Sequence, residues 1–398
     1  MRTERYRWVL ACNLFAILTV SSGLGFYNLS VYMNALAAQR GFSIASASNA
    51  VGVFFLISGA TGLVVGRVLQ QRDARLVMIV GALVGAAAIA SIGLVDSVPQ
   101  LYAVYALFGV GYSCVSVLPA TTLIARWFDT ASRPLALSLT TTGLSVGGVL
   151  ITPLSALLLT SWPLERAMPV LAGVFVGVIA PIAWFGIRSF PGAEHGDAPS
   201  IGRQGMLFGA AIRSRFFVVL TIGYLLAMGT QVAGIAHLYN RGVTIATPLQ
   251  ASLAVSMMAT LSVLGRFIGG FLIGRLPIKR FALANLLGQL SGFLVIAHAA
   301  DAEHLWFGAC LFGVTIGNLL MLQPLMLAQA FGVRDYPKIY SLSQAVTTLG
   351  VASGPVLLGT IASGAGYPTG FSTLAVISAA AFVLVVLAGP VPDGEPTR

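Results

Sequence analysis

Arg266 lies deep inside an apolar run, 251–276, where a positive charge is expensive. A guanidinium stays protonated in a protein. A charge at bilayer depth costs about 2.5 to 17 kcal/mol, so such a residue marks a functional site by default. Its planar fork can grip a carboxylate through two parallel hydrogen bonds. Ser262 stands one helical turn earlier on the same face, where it could hydrogen-bond an anion or serve only as small packing. Other polar side chains within apolar runs are candidates to line a cavity: Tyr27, Tyr112, Ser116, Gln231, Asn318, Gln344 and Thr347. Each could equally be interhelical glue. His237 is the titratable candidate for proton coupling, since an imidazole changes charge near neutrality. Beside Tyr239, Asn240 and Arg241 it could also be an ordinary interface residue.

These residues need long apolar elements to hold them. The chain has 398 residues, 57% hydrophobic and 9% charged, against about 25% charged in soluble proteins. Its mean hydropathy is +0.90. A helix crosses a bilayer with about 20 apolar residues, and twelve such runs can be counted. They lie at roughly 8–33, 46–70, 76–95, 101–126, 135–161, 167–187, 216–238, 249–276, 282–299, 305–331, 339–363 and 370–389. The fold class expected is an all-α membrane protein of twelve transmembrane helices in two pseudo-symmetric six-helix bundles. The halves are 1–187 and 216–398, joined by a linker at 188–215 that holds Pro191, Gly192, Gly196 and Pro199.

The charges give the orientation. Of the 22 Lys and Arg, all but Arg40, Arg166, Arg241 and Arg266 fall on one side of such a layout. The positive-inside rule puts that side, with both termini and the linker, in the cytoplasm. A multi-pass protein of the cell inner membrane is expected. All 12 Asp and Glu fall in loops or tails, so the spans carry no carboxylate.

Several classes of function drop out. The net charge of +10 sits in short loops between apolar runs, with no basic helical face, which argues against nucleic acid. Cys12, Cys114 and Cys310 each lie in an apolar run and form no CxxC pair, so neither a metal site nor a disulfide is expected. No HExxH, Ser/His/Asp arrangement or Cys/His cluster is present, so an enzyme is not expected, and neither is a cofactor. No cleavable signal peptide is expected at the basic N-terminus. The expected partners are the lipid bilayer, a small organic anion and protons, and the expected state is a monomer.

The two halves repeat. Gly62-x-x-x-Gly66-Arg67 recurs as Gly270-x-x-x-Gly274-Arg275, and Leu107-Phe108-Gly109-Val110 as Leu311-Phe312-Gly313-Val314. Phe128, Pro134, Ser138, Leu139 and Gly147 recur at a constant offset of 203 as Phe331, Pro337, Ser341, Leu342 and Gly350. A duplicated six-helix unit with parallel halves is the layout of major facilitator transporters, whose substrate site lies near the bilayer midplane. The chain resembles that superfamily over nearly its whole length, although an Asp usually stands where Gly66 and Gly274 are.

Within the superfamily it looks most like bacterial monocarboxylate porters and, more distantly, oxalate/formate exchangers. Trp127-Phe128 with Arg133, Leu135-Ala136 and Gly143-x-x-x-Gly147 is similar to the porter signature, as are Gly265-Arg266 and Gly350-x-x-x-Gly354-Pro355. The resemblance implies that Arg266 binds substrate and that His237 stands where many bacterial relatives carry a His. The departures are also informative. Ser262 replaces an acid found four residues before the arginine in animal porters. Thr347 or a near neighbour stands where the oxalate exchanger has a second basic residue. A monoanion is therefore expected, carried by proton-linked symport or by exchange. The alternatives are efflux of another anionic metabolite or drug, and a non-transporting receptor on the same fold.

Overall fold

In a run of apolar residues only a helix satisfies every backbone N–H and C=O within the run. The computed structural model describes residues 2–128, 132–188, 205–273, 275–332 and 335–391. Gly274, Arg334, Arg398 and linker residues 189–204 lie outside the described residues. Among those described there is no strand. The helices are α1 (Arg2–Ser22), α2 (Leu29–Arg40), α3 (Ile44–Gln71), α4 (Ala74–Ile92), α5 (Val98–Ser113), α6 (Val117–Trp127) and α7 (Arg133–Ser161). They continue as α8 (Leu164–Pro181), α9 (Phe208–Arg213), α10 (Arg215–Gly242), α11 (Pro248–Ile273), α12 (Ile278–His298), α13 (Ala302–Phe331) and α14 (Tyr336–Leu387).

The expected spans map onto these with local differences. The first runs from α1 through a π turn, Gly23–Tyr27, into α2, and so extends beyond 8–33 at both ends. The fourth is broken rather than continuous. Ser113 donates to the carbonyl of Val110 at 2.8 Å and Ser116 to that of Ser113 at 3.1 Å, between α5 and α6. Such local side-chain bonds compete with the helix ladder. The long α14 is two spans. Its 52 residues at 1.5 Å each would reach about 78 Å, more than twice the hydrocarbon thickness. Gly366, at φ 82 and ψ 164, breaks it between the eleventh and twelfth expected runs. Large apolar side chains such as Leu63, Phe185, Phe271 and Phe307 are exposed, which suits lipid rather than water.

Two compact units are present. One comprises Met1–Pro191 with Ile235–Thr260. In it α1 packs on α7, α3 on α5, and α4 on α5 and α8. The ends of α10 and α11 in this unit are bonded to it. Asn240 donates to the carbonyl of Ser30 at 2.8 Å, and Ser256 to that of Val149 at 3.1 Å. Arg40 ties three loops together through Asp96, the carbonyl of Gly93 at 2.6 Å and Glu165 at 2.7 Å. At the opposite end, Tyr6 and Asn13 both donate to the carbonyl of Gly186.

The other unit comprises Gly192–Gly234 with Leu261–Arg398. Here α12 packs on α13 and α14. Lys279 donates to the carbonyls of Val386 at 3.0 Å and Gly389 at 2.5 Å, satisfying the end of α14. The short α9 docks on the turn before α14. Met206 N–H donates to Phe331 O and Phe208 N–H to Asp335 Oδ2, each at 2.9 Å.

Candidate substrate-binding site

The position of Arg266 follows from an unusually close helix crossing. α11 carries Gly265 and Gly269, four apart, and α13 carries Gly313 and Gly317 with the same spacing. Small residues at this spacing let backbones approach in lipid. A Cβ at position 265 would overlap the Val314 carbonyl oxygen and sit 2.9 Å from its carbon, and one at 269 would overlap Asn318 Oδ1. Between these two contacts the Arg266 side chain crosses the bare Cα of Gly317. A Cβ at 317 would overlap its Cγ and Nε and sit 2.8 Å from its Cδ. Arg266 is half-buried, its stem held by the crossing.

The other candidates in this unit gather on α13 and its neighbours. Gln231 of α10 donates to the carbonyl of Ile316 at 3.5 Å, one residue from the glycine under Arg266. Asn318, next in sequence, donates to Asn285 Oδ1 of α12 at 3.0 Å and to the Val314 carbonyl at 3.1 Å. It also lines a cavity of about 400 Å³ whose other walls include Leu261, Ile268, Phe281 and Phe307. Gln231, Arg266 and Asn318 thus meet one turn of α13. Ser262 is fully buried, and its hydroxyl has no hydrogen-bond partner; the same holds for Gln231 Oε1, Asn318 Oδ1 and the Tyr224 hydroxyl. Buried polar atoms of this kind are few in native proteins and each asks for an explanation.

Thr347 belongs to a second polar group. Gln323 of α13 donates to Ser343 at 2.9 Å and Thr347 at 3.0 Å, and Ser343 is 3.0 Å from Thr221 of α10. Gln344 is exposed.

The remaining candidates lie in the first unit. Tyr112 of α5 covers the π turn, where a Cβ at Gly25 would lie 2.7 Å from its ring. Its ring centroid is 5.1 Å from that of Phe54. Tyr27, in the same turn, packs on Gly148 of α7. Ser116 has its hydroxyl on the Ser113 carbonyl, in the break before α6. His237 is fully buried, with Nε2 3.3 Å from Ser48 Oγ. Ser48 Oγ also lies 2.6 Å from the Ile44 carbonyl oxygen and 3.3 Å from Met33 Sδ.

The comparisons with known proteins decide the family. The Major Facilitator Superfamily pattern matches residues 15–321 and again 231–398.

The chain belongs to the Major Facilitator Superfamily.

It is an all-α, multi-pass membrane protein of that fold and a transporter, not an enzyme. Over 396 residues it is 26% identical to the oxalate:formate antiporter of Oxalobacter formigenes, covering 96% of this chain and 92% of that protein. An uncharacterized MFS-type transporter of Bacillus subtilis, YcxA, is 27% identical over 252 residues, 63% of this chain and 58% of that one. Among solved structures, a bacterial homologue of the human lysosomal transporter Spinster, inward-facing and occupied, superposes with TM-score 0.77 at 15% identity, over 97% of each chain. The nucleoside transporter NupG superposes with TM-score 0.74 at 12% identity, over 95% of this chain and 99% of that one. At such identities these two show the fold alone.

Sequence reasoning passed over Gly317, Asn285 and the Thr221–Ser343 pair. The signal for Gly317 was there: two stretches of glycines four apart, in the spans that the internal repeat makes counterparts of the second and fourth.

Proposed function

We propose that this facilitator carries a small organic monoanion, a monocarboxylate, across the inner membrane by alternating access. Arg266 pairs the carboxylate. The halves 1–187 and 216–398 move against each other about the site, with the 188–215 linker and both termini cytoplasmic and the protein a monomer. The observation that carries this reading is the charge inventory of the spans: one deep arginine and no Asp or Glu. A carboxylate bound on the fork neutralises that charge in a closed, dry intermediate. The loaded carrier therefore reorients more readily than the empty one. Exchange meets that requirement, and the relative from Oxalobacter formigenes is named an antiporter. A proton-linked step through His237 is the other route.

Proteoliposome uptake of a labelled carboxylate panel, with and without internal anion and with and without a pH gradient, tests this. Counterflow should far exceed uptake into anion-free vesicles. Fast uptake with neither internal anion nor proton gradient would overturn the cycle. Arg266→Ala should abolish transport. Arg266→Lys should lose roughly tenfold or more, because a point charge lacks the fork and a hydrogen bond to a charged group contributes about 1.5–3 kcal/mol. Wild-type transport by Arg266→Ala would remove the site. If His237→Gln depends on the pH gradient to the same degree as the parent, or leaves the pH profile unmoved, His237 has no part in coupling.

A further inference from the structure

The stem of Arg266 needs a specific absence on the neighbouring helix. Its Cγ, Cδ and Nε lie where a side chain at position 317 would begin. On one side Gly265 abuts the Val314 carbonyl, and on the other Gly269 abuts Asn318 Oδ1, so neither helix can back away without parting the crossing. With Cγ to Nε held on α13, the guanidinium that follows has little freedom of direction. We infer that Gly317 is a positioning residue: by having no side chain it sets where Arg266 presents its fork, and so sets carboxylate affinity. This rests on Arg266 binding the carboxylate.

Two further observations bear on it. Gln231 bonds to the carbonyl of Ile316, so the helix turn that seats Arg266 is also the turn that α10 holds. Gly269 offers an internal control, because a methyl there meets Asn318 and Phe281 rather than Arg266.

The test is a cycle of variants of the full chain in detergent or nanodiscs. Thermal melting is read alone and with formate, acetate, lactate and oxalate as probes. Gly317→Ala should lower the melting temperature and weaken the response to the monocarboxylate probes at least tenfold in concentration. In an Arg266→Ala background the same change should not lower the melting temperature, since the atoms the methyl would meet are gone and Ala suits a helix better than Gly. Gly269→Ala should lower the melting temperature in both backgrounds. That reversal belongs to a residue acting through Arg266, and a general packing role would not give it.

An equal loss for Gly317→Ala in both backgrounds would overturn the inference, as would an unchanged response to the probes. If Gly317→Ala is not recovered from membranes, recovery of the double variant supports the inference and failure to recover it overturns it. Should Arg266→Ala itself respond to the probes as wild type does, the substrate reading fails. The melting comparison then still reports whether the two residues act as a pair.

Discussion

Ser262 keeps a hydroxyl fully buried and without a partner. Leaving such a group unmade costs about 1–3 kcal/mol. A residue held at that cost, one turn from Arg266 on the same helix, fits a donor that is used only when an anion is bound. Ser262→Ala should leave the melting temperature unchanged or raise it, while the carboxylate concentration for half-saturation rises several-fold. A stability loss with unchanged affinity would make Ser262 a packing residue. Arg266 was legible in the sequence because nothing apolar explains a guanidinium. Asn318 was harder to read, since an amide in an apolar run looks the same whether it faces a cavity, bonds an amide on a neighbouring helix or, as here, does both. Gly317 is one of 45 glycines, and what distinguishes it is the side chain lying across it.

At the scale of elements, the number of spans and most of their limits followed from apolar length. What did not follow was how they bend, because a break depends on which hydroxyl turns back onto the backbone or on one dihedral angle. Gly366 is the clearest case. Its φ of 82 is open to glycine and strained for other residues, so Gly366→Ala should cost about 1 kcal/mol, and Gly366→Val more. A melting temperature equal to wild type for both would mean the bend has another cause. Asp301 makes a second test. Its carboxylate caps α13 by accepting the His304 backbone N–H at 2.9 Å and lies 2.8 Å from that residue's ring. These contacts, the backbone bond first, hold its pKa below the ordinary carboxylate value. A depressed carboxylate pKa contributes stability that is complete above the unfolded pKa, about 3.9, and is lost as pH falls through the folded one. Asp301→Ala should therefore melt earlier than wild type at neutral pH, and the gap should close below about pH 4. A gap that persists unchanged in acid would exclude the carboxylate as its source.

At the scale of the whole molecule, the distribution of charge gives an orientation that can be measured. With Cys12, Cys114 and Cys310 replaced, a single cysteine at Ser97 or Ser161 should react with an impermeant maleimide added to intact cells. One at Ser214 should react only after permeabilisation. The reverse pattern would invert the topology. Arg40, which joins Asp96, Gly93 and Glu165, lies on the side that should be labelled from outside.

The way Arg266 is seated has an electrical consequence. Its stem is lodged against α13, so on the proposed cycle the guanidinium belongs to the wall and is never part of the cargo. The current that the protein generates is then set by the valence of what it swaps. Monocarboxylate against monocarboxylate should be silent on a capacitive electrode. A dianion taken in for a monoanion released should drive a steady negative current into the vesicle, one that an imposed membrane voltage can stop.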